Sequence, residues 1–77
     1  MDPKKAFGKT VRALRKQQGI SQEILAARCE LDRTHMSRLE RAVQQPTLTT
    51  IFRIADELGI LPSELIAQVE KQRGRGK

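Results

Sequence analysis

The sequence predicts an all-α fold, in which one small domain contains five helices. Apolar residues recur three and four positions apart along most of the chain, as on the buried face of a helix, and Phe7, Val11 and Leu14 form the first such set. Residues that begin or end helices separate these sets. No segment alternates apolar and polar residues as a half-buried strand does. The 77 residues suffice for a single core.

Each expected helix has a recognisable beginning. The first is expected over about residues 3–18, because Asp2 can act as its N-cap and Gly19 can end it. The other four are expected to begin at Ser21, Asp32, Thr47 and Pro62. The residues expected to face inward on these four helices are Leu25, Ala26 and Cys29; Met36 and Leu39; Leu48, Ile51, Phe52, Ala55 and Leu58; and Leu65, Ile66 and Val69.

Charge is unevenly distributed along the chain, whose formal net charge is +6. Residues 1–20 contain six basic residues and one acidic residue, whereas residues 46–70 contain one basic and four acidic residues. One end of the molecule is therefore expected to attract a polyanion and the other is not.

The sequence disfavours several classes of protein. No apolar run approaches the roughly 20 residues of a membrane span and no signal-peptide pattern is present, so a cytoplasmic protein is expected. Cys29 is the single cysteine and His35 the single histidine, so one chain cannot assemble a metal site with the usual ligand spacing. His35 is also expected on an exposed helix face, where it cannot serve a nucleophile in a cleft. We expect neither catalysis nor a cofactor.

The second and third helices are joined only by Glu30 and Leu31. Helices connected so tightly cross at a steep angle, which requires a small residue where they touch and an apolar residue in the turn. Ala26 and Leu31 meet these two requirements. Residues 21–42 therefore predict a helix-turn-helix unit.

From about Phe7 to Ile66 the chain resembles the lambda-repressor/Cro-type (XRE family) helix-turn-helix domain. The resemblance is carried by SQE at 21–23, Ala26, LDRT at 31–34, LER at 39–41 and the PTL and IADELGI segments after residue 45. LDRTHMSRLER is most similar to restriction-modification controller proteins and other small stand-alone regulators. The resemblance implies a lambda-repressor-like DNA-binding domain over residues 1–70. The basic segment 71–77, which has no apolar residue, is expected to be disordered.

One residue departs from the family pattern. Glu30 occupies the turn position that glycine or asparagine often holds. If the backbone there has a positive φ, Glu30 bears a strain of roughly 1 kcal/mol.

The outer face of the third helix is the expected reading surface. With Met36 and Leu39 inward, the side chains that the resemblance assigns to base contacts are Arg33, Thr34, Ser37 and Arg38, with His35 as a further candidate. Arginine can donate two hydrogen bonds to guanine, and threonine offers a hydroxyl and a methyl group.

Other residues are expected to hold the DNA backbone or the fold. The resemblance assigns Gln22, at the start of the second helix, to a phosphate contact, and it implies an at least partly buried Arg15–Glu40 ion pair. Further phosphate candidates flank the loop before the fourth helix, with an inert solvated surface as the alternative: Arg41, Gln44, Gln45 and Thr47.

A homodimer is the expected assembly, since the family usually binds near-palindromic sites as two-fold dimers. Leu61 stands where a serine or aspartate N-cap is preferred, which suggests that a contact outweighs the lost cap. The interface is expected on the fourth and fifth helices, with Leu61 and Leu65 near its centre and Phe52 and Val69 contributing.

The predicted function is sequence-specific binding of double-stranded DNA in transcription regulation, with RNA polymerase or a protein antagonist as further candidate partners. Two alternatives stay open. One is an antitoxin-type or phage repressor that also binds a protein, and the other is a helical protein-interaction module without DNA binding.

Overall fold

Five helices follow one another in the structure, a computed structural model that describes residues 1–74. Within that range there is no strand, so the all-α prediction is confirmed. The helices are α1 (Pro3–Gln17), α2 (Gln22–Arg28), α3 (Arg33–Glu40), α4 (Leu48–Leu58) and α5 (Pro62–Arg73). The most extensive packing joins α1 to α5, followed by α2 to α3 and α1 to α3.

Local signals account for where the first four helices begin. The side-chain oxygens of Asp2, Ser21, Asp32 and Thr47 each accept a hydrogen bond from a backbone N–H in the first turn, at 2.7 to 3.1 Å. The fifth helix begins differently, because Leu61 has no polar side chain. There the Glu64 carboxylate accepts the backbone N–H of Leu61 at 2.9 Å.

The core confirms the inward faces predicted for α2 and α3. Leu25 and Ala26 on α2 and Cys29 at its C-cap are buried, as are Met36 and Leu39 on α3. In the rest of the chain, the buried apolar residues are Ala6, Phe7, Val11, Ile54, Ala55, Leu58, Leu65 and Val69. All five helices therefore contribute to one core.

The predicted inward faces of α4 and α5 are wrong at three residues. Leu48, Phe52 and Ile66 are exposed, whereas Ile54, which was not expected inside, is fully buried. The apolar residues of α4 cover too much of its circumference for spacing alone to define the buried edge. The core lies along the edge that includes Thr50 and Ile54.

The close contact between α1 and α3 depends on Gly8. A Cβ atom at this position would lie 2.5 Å from the backbone oxygen of Glu40 and 2.7 Å from that of Leu39. Carbon atoms do not approach backbone oxygens so closely, so only glycine lets α1 reach the last turn of α3.

Among residues 1–74, two residues other than glycine have left-handed backbone conformations, and both flank α3. Glu30 has φ 60° and Ala42 has φ 64°. Glu30 therefore has the positive φ at which backbone strain was expected, and the turn before α3 contains a strained residue. Ala42 follows the C-cap of α3, and its left-handed conformation lets Val43 N–H donate to Arg38 O at 3.0 Å.

The predicted disorder of the 71–77 segment is wrong for its first residues. The fifth helix continues to Arg73 and ends at Gly74, which has φ 89°. Lys71 and Gln72 lie beside the end of α1, and the amino terminus of Met1 donates to Arg73 O at 3.4 Å. The helix therefore continues beyond Val69, the last apolar residue of the sequence, and residues 75–77 lie outside the described range. None of the helices in residues 1–74 combines the length and apolarity of a membrane span.

Burial of Cys29 predicts an unreactive thiol. Desolvation, aided by the negative charge of Glu57, raises the pKa of Cys29 to about 11, although Arg53 opposes the shift. Near pH 8 the thiolate fraction should be roughly 100-fold below that of an ordinary cysteine. We expect iodoacetamide to alkylate Cys29 rapidly in denaturant and very slowly in the native protein, as followed by mass spectrometry. Equal rates would contradict the buried placement.

Candidate functional site

The turn between α2 and α3 fixes the direction of the exposed helix that follows it. Glu30 N–H donates to Ala27 O at 3.1 Å, and Leu31 N–H donates to Ala26 O at 2.9 Å. Leu31 itself packs against the core. The Asp32 carboxylate then accepts His35 N–H at 2.7 Å and starts α3. Because Met36 and Leu39 are buried, the opposite face of α3 is open to solvent.

Eight of the ten predicted DNA contacts lie together on this face. They line two shallow depressions that share Thr34. One depression is lined by Gln22, Arg33, Thr34, Ser37 and Arg41, and the other by Asp32, Thr34, His35, Arg38 and Gln44. We call the combined surface the α3 face.

Two hydrogen bonds orient polar side chains on the α3 face. Arg41 Nε donates to Ser37 Oγ at 3.2 Å. Gln44 Nε2 lies 3.2 Å from His35 Nε2, so a neutral imidazole can accept its N–H there. The loop residue Gln44 is thereby held against the helix.

The α3 face carries a net positive charge, because three of its arginines have no salt-bridge partner. Across residues 1–74, salt bridges join only Arg15 to Glu40 and Arg53 to Glu30. Arg33, Arg38 and Arg41 therefore have no acidic partner among these residues and can bind an external anion. Asp32 caps α3 and forms no salt bridge with these arginines, so its single negative charge leaves the surface with a net positive charge.

Beneath the α3 face, α1 is joined to α3 by the ion pair that the resemblance implies. Arg15 Nε donates to Glu40 Oε2 at 2.8 Å and Arg15 Nη2 donates to Glu40 Oε1 at 3.0 Å. The two side chains are 11% and 3% exposed. The hydrogen bond to Glu40 raises the pKa of Arg15 despite the opposing effect of burial. Arg15 Nη1 also donates to Ile20 O at 3.0 Å.

Gln22 has a structural contact that the sequence did not predict. Its Nε2 donates to Glu40 Oε1 at 3.0 Å, so α2 also joins the ion pair. An amide nitrogen has two N–H groups, which leaves one for a phosphate. No local sequence signal pairs residues 18 positions apart, and only the fold brings them together.

The remaining two phosphate candidates lie away from the α3 face. Gln45 lines a separate groove with Pro46 and Phe7. The Thr47 hydroxyl donates to Thr50 Oγ1 at 2.9 Å and accepts Thr50 N–H at 3.1 Å. Its hydroxyl therefore serves the cap of α4 rather than pointing outward.

Two of the four residues predicted for the dimer interface are not available for such a contact. Leu65 is fully buried and Val69 nearly so, because both pack into the protomer core. Leu61 and Phe52 are 63% and 49% exposed and stay candidates. Leu65 and Val69 were predicted to face inward and also to contribute to the interface, and their burial in the protomer core leaves room only for the first role.

A helix-turn-helix family model matches residues 11–65. The control protein C.MunI of a Mycoplasma species is 39% identical over 72 residues, covering 92% of this chain and 97% of that protein. The control protein C.BamHI of Bacillus amyloliquefaciens is 39% identical over 61 residues, which is 78% of this chain and 75% of that protein.

A solved structure has the same architecture. The restriction-modification controller protein C.AhdI from Aeromonas hydrophila superposes with a TM-score of 0.76 at 39% identity, covering 79% of this chain and 92% of that one.

Proposed function

Because this chain belongs to the lambda-repressor/Cro-type helix-turn-helix family and is a DNA-binding transcriptional regulator, we propose that it acts as a homodimer on a near-palindromic site. In this proposal α3 enters the major groove of each half-site. Arg33, Thr34, Ser37 and Arg38 contact bases, with His35 beside them.

The observation that supports the proposal most is the α3 face itself. Three arginines without a salt-bridge partner lie beside hydroxyl and amide groups on one exposed surface, which is formed by α3, the start of α2 and the residues just after α3. An α-helix fits the major groove, and this set of donors and acceptors suits base edges. Gln22 and the first-turn amides of α2 are assigned to one phosphate, and Arg41 and Gln44 to others.

Dimerisation is proposed on the exposed apolar surface of α4 and α5. Leu48 and Phe52 are one helical turn apart on α4, and Leu61 precedes α5. Their exposed fractions of 71%, 49% and 63% are high for large apolar side chains. A two-fold dimer would present its two α3 helices about 34 Å apart, one turn of DNA.

We further propose that the protein has no catalytic activity and that it binds its DNA in the cytoplasm. Contacts with RNA polymerase or a protein antagonist belong to the proposal as further steps. A repressor that also binds a protein partner is the second candidate.

Selection of bound sequences from a random duplex pool, followed by electrophoretic shift at two salt concentrations, tests the proposed function. We expect a two-fold symmetric selected site and affinity that falls steeply as salt rises, because phosphate contacts release counterions. A protein-interaction module without DNA binding would select no sequence and show no such salt dependence.

Leu61→Asp tests the dimer surface. Aspartate is a preferred N-cap, so α5 should be no less stable, while a charge would enter the proposed apolar contact. We expect sedimentation to shift towards monomer with helical circular dichroism retained. The control is Ile24→Asp, which changes another exposed apolar residue, on α2, and should leave the dimer intact. A dimer unaffected by Leu61→Asp would refute this surface.

A further inference from the structure

The turn before α3 contains a strained residue with no glycine to relieve it. Glu30 has φ 60°, a conformation that costs a residue with a side chain roughly 1 kcal/mol. This residue separates the end of α2 from the cap of α3. The angle between α2 and α3 thus depends on whether Glu30 keeps that conformation.

Arg53, on α4, contacts this turn at two points. Its Nη1 donates to the backbone oxygen of Cys29 at 3.2 Å and to Glu30 Oε1 at 3.1 Å. Cys29 is the C-cap of α2, where carbonyl oxygens lack a partner within the helix. One guanidinium nitrogen therefore joins the carbonyl before the strained residue to the side chain of that residue.

These contacts are poorly placed to stabilise the protein as a whole. The side chains of Arg53 and Glu30 are 47% and 77% exposed, and exposed ion pairs contribute little to the free energy of unfolding. One of the two contacts nevertheless reaches the backbone, at the Cys29 carbonyl of the peptide group immediately before Glu30, in the segment that determines the direction of α3.

We propose that Arg53 is a positioning residue for DNA recognition, which holds the α2–α3 turn in its left-handed conformation and so sets the angle of α3 in the groove. The inference rests on the proposed function, because it concerns how the α3 face is aimed.

Arg53 would also connect assembly to recognition. Phe52, its neighbour on α4, belongs to the proposed dimer surface, whereas Arg53 points to the turn. A dimer contact that holds α4 in place would therefore also hold the backbone from which the Arg53 side chain reaches the turn.

The test compares affinities for a selected and a scrambled duplex at one ionic strength. Arg53→Ala should lower the ratio of the two affinities roughly five- to tenfold, a part of what one base contact provides. Arg53→Lys should restore most of the ratio, because a single nitrogen makes both contacts. Lys71→Ala, which removes an equal charge from α5, should leave the ratio unchanged.

A second comparison, made in a Glu30→Gly variant, separates the effect of backbone strain at residue 30 from other effects of Arg53. Glycine adopts positive φ freely, so Arg53→Ala introduced into Glu30→Gly should change the ratio much less than it does in the wild-type chain. Independently of DNA, Arg53→Ala should accelerate hydrogen exchange of the Leu31 amide, which is bonded to Ala26 O at 2.9 Å.

The outcomes separate the two claims. A wild-type protein that binds both duplexes equally contradicts the proposed function, and the role of Arg53 is lost with it. A selective wild-type protein whose ratio survives Arg53→Ala, even with a lower melting temperature, overturns the positioning role alone. A Leu31 amide that exchanges at the same rate in Arg53→Ala as in the wild type would likewise overturn the positioning role alone.

Discussion

Glu40→Ala is expected to lower the free energy of unfolding by about 3 kcal/mol or more. The substitution leaves the Arg15 guanidinium, whose side chain is 11% exposed, without its counter-charge, and it removes the acceptor of the Gln22 amide. Urea unfolding followed by circular dichroism measures the loss. Glu70→Ala, an exposed glutamate on α5, is the control and should change the stability by less than about 0.5 kcal/mol.

A double-mutant cycle shows whether the loss belongs to the pair. Arg15→Ala alone should also destabilise strongly, since it leaves a buried carboxylate unpaired. The double variant should lose clearly less than the sum of the single losses. Additive losses would mean that Arg15 and Glu40 do not interact in solution.

Gly8→Ala is expected to destabilise the protein by about 2 kcal/mol although alanine favours helices. The added Cβ would meet the oxygens of Glu40 and Leu39 at 2.5 and 2.7 Å, and these are backbone atoms that cannot rotate away. The two helices must therefore separate. Thermal unfolding measures the effect.

Lys9→Ala is the matched control for Gly8→Ala. It places the same residue at the next, exposed position of α1 and should change the stability by less than about 0.5 kcal/mol. A Gly8→Ala protein as stable as the wild type would mean that α1 and α3 are not in backbone contact.

Helix starts could be predicted from sequence because an N-cap acts within its own first turn. Asp2, Ser21, Asp32 and Thr47 each accept a nearby N–H, and the protein folds around these local choices. The outer face of α3 was equally predictable, since its two apolar residues leave little doubt about which side is buried.

Packing between distant segments was not predictable in the same way. The exposed Phe52 and the buried Ile54 differ by their place around α4, which depends on where α1 and α5 lie. Gly8 gives no sequence signal because its neighbour is the last turn of α3. The Arg15–Glu40 pair came from the family resemblance, whereas the contacts of Gln22 and Arg53 required the fold.

The most direct test of the central claim, that α3 reads base pairs, is the titration of Arg33→Ala against selected, singly substituted and scrambled duplexes at fixed ionic strength. We expect the selected site to lose roughly 1 to 3 kcal/mol per half-site, with relaxed preference at one base pair, because a bidentate contact to guanine distinguishes bases. Arg12→Ala, an equal charge loss on the exposed face of α1, should weaken all duplexes alike. If Arg33→Ala also weakens every duplex by the same factor, Arg33 holds phosphate and α3 does not read the DNA through its first residue.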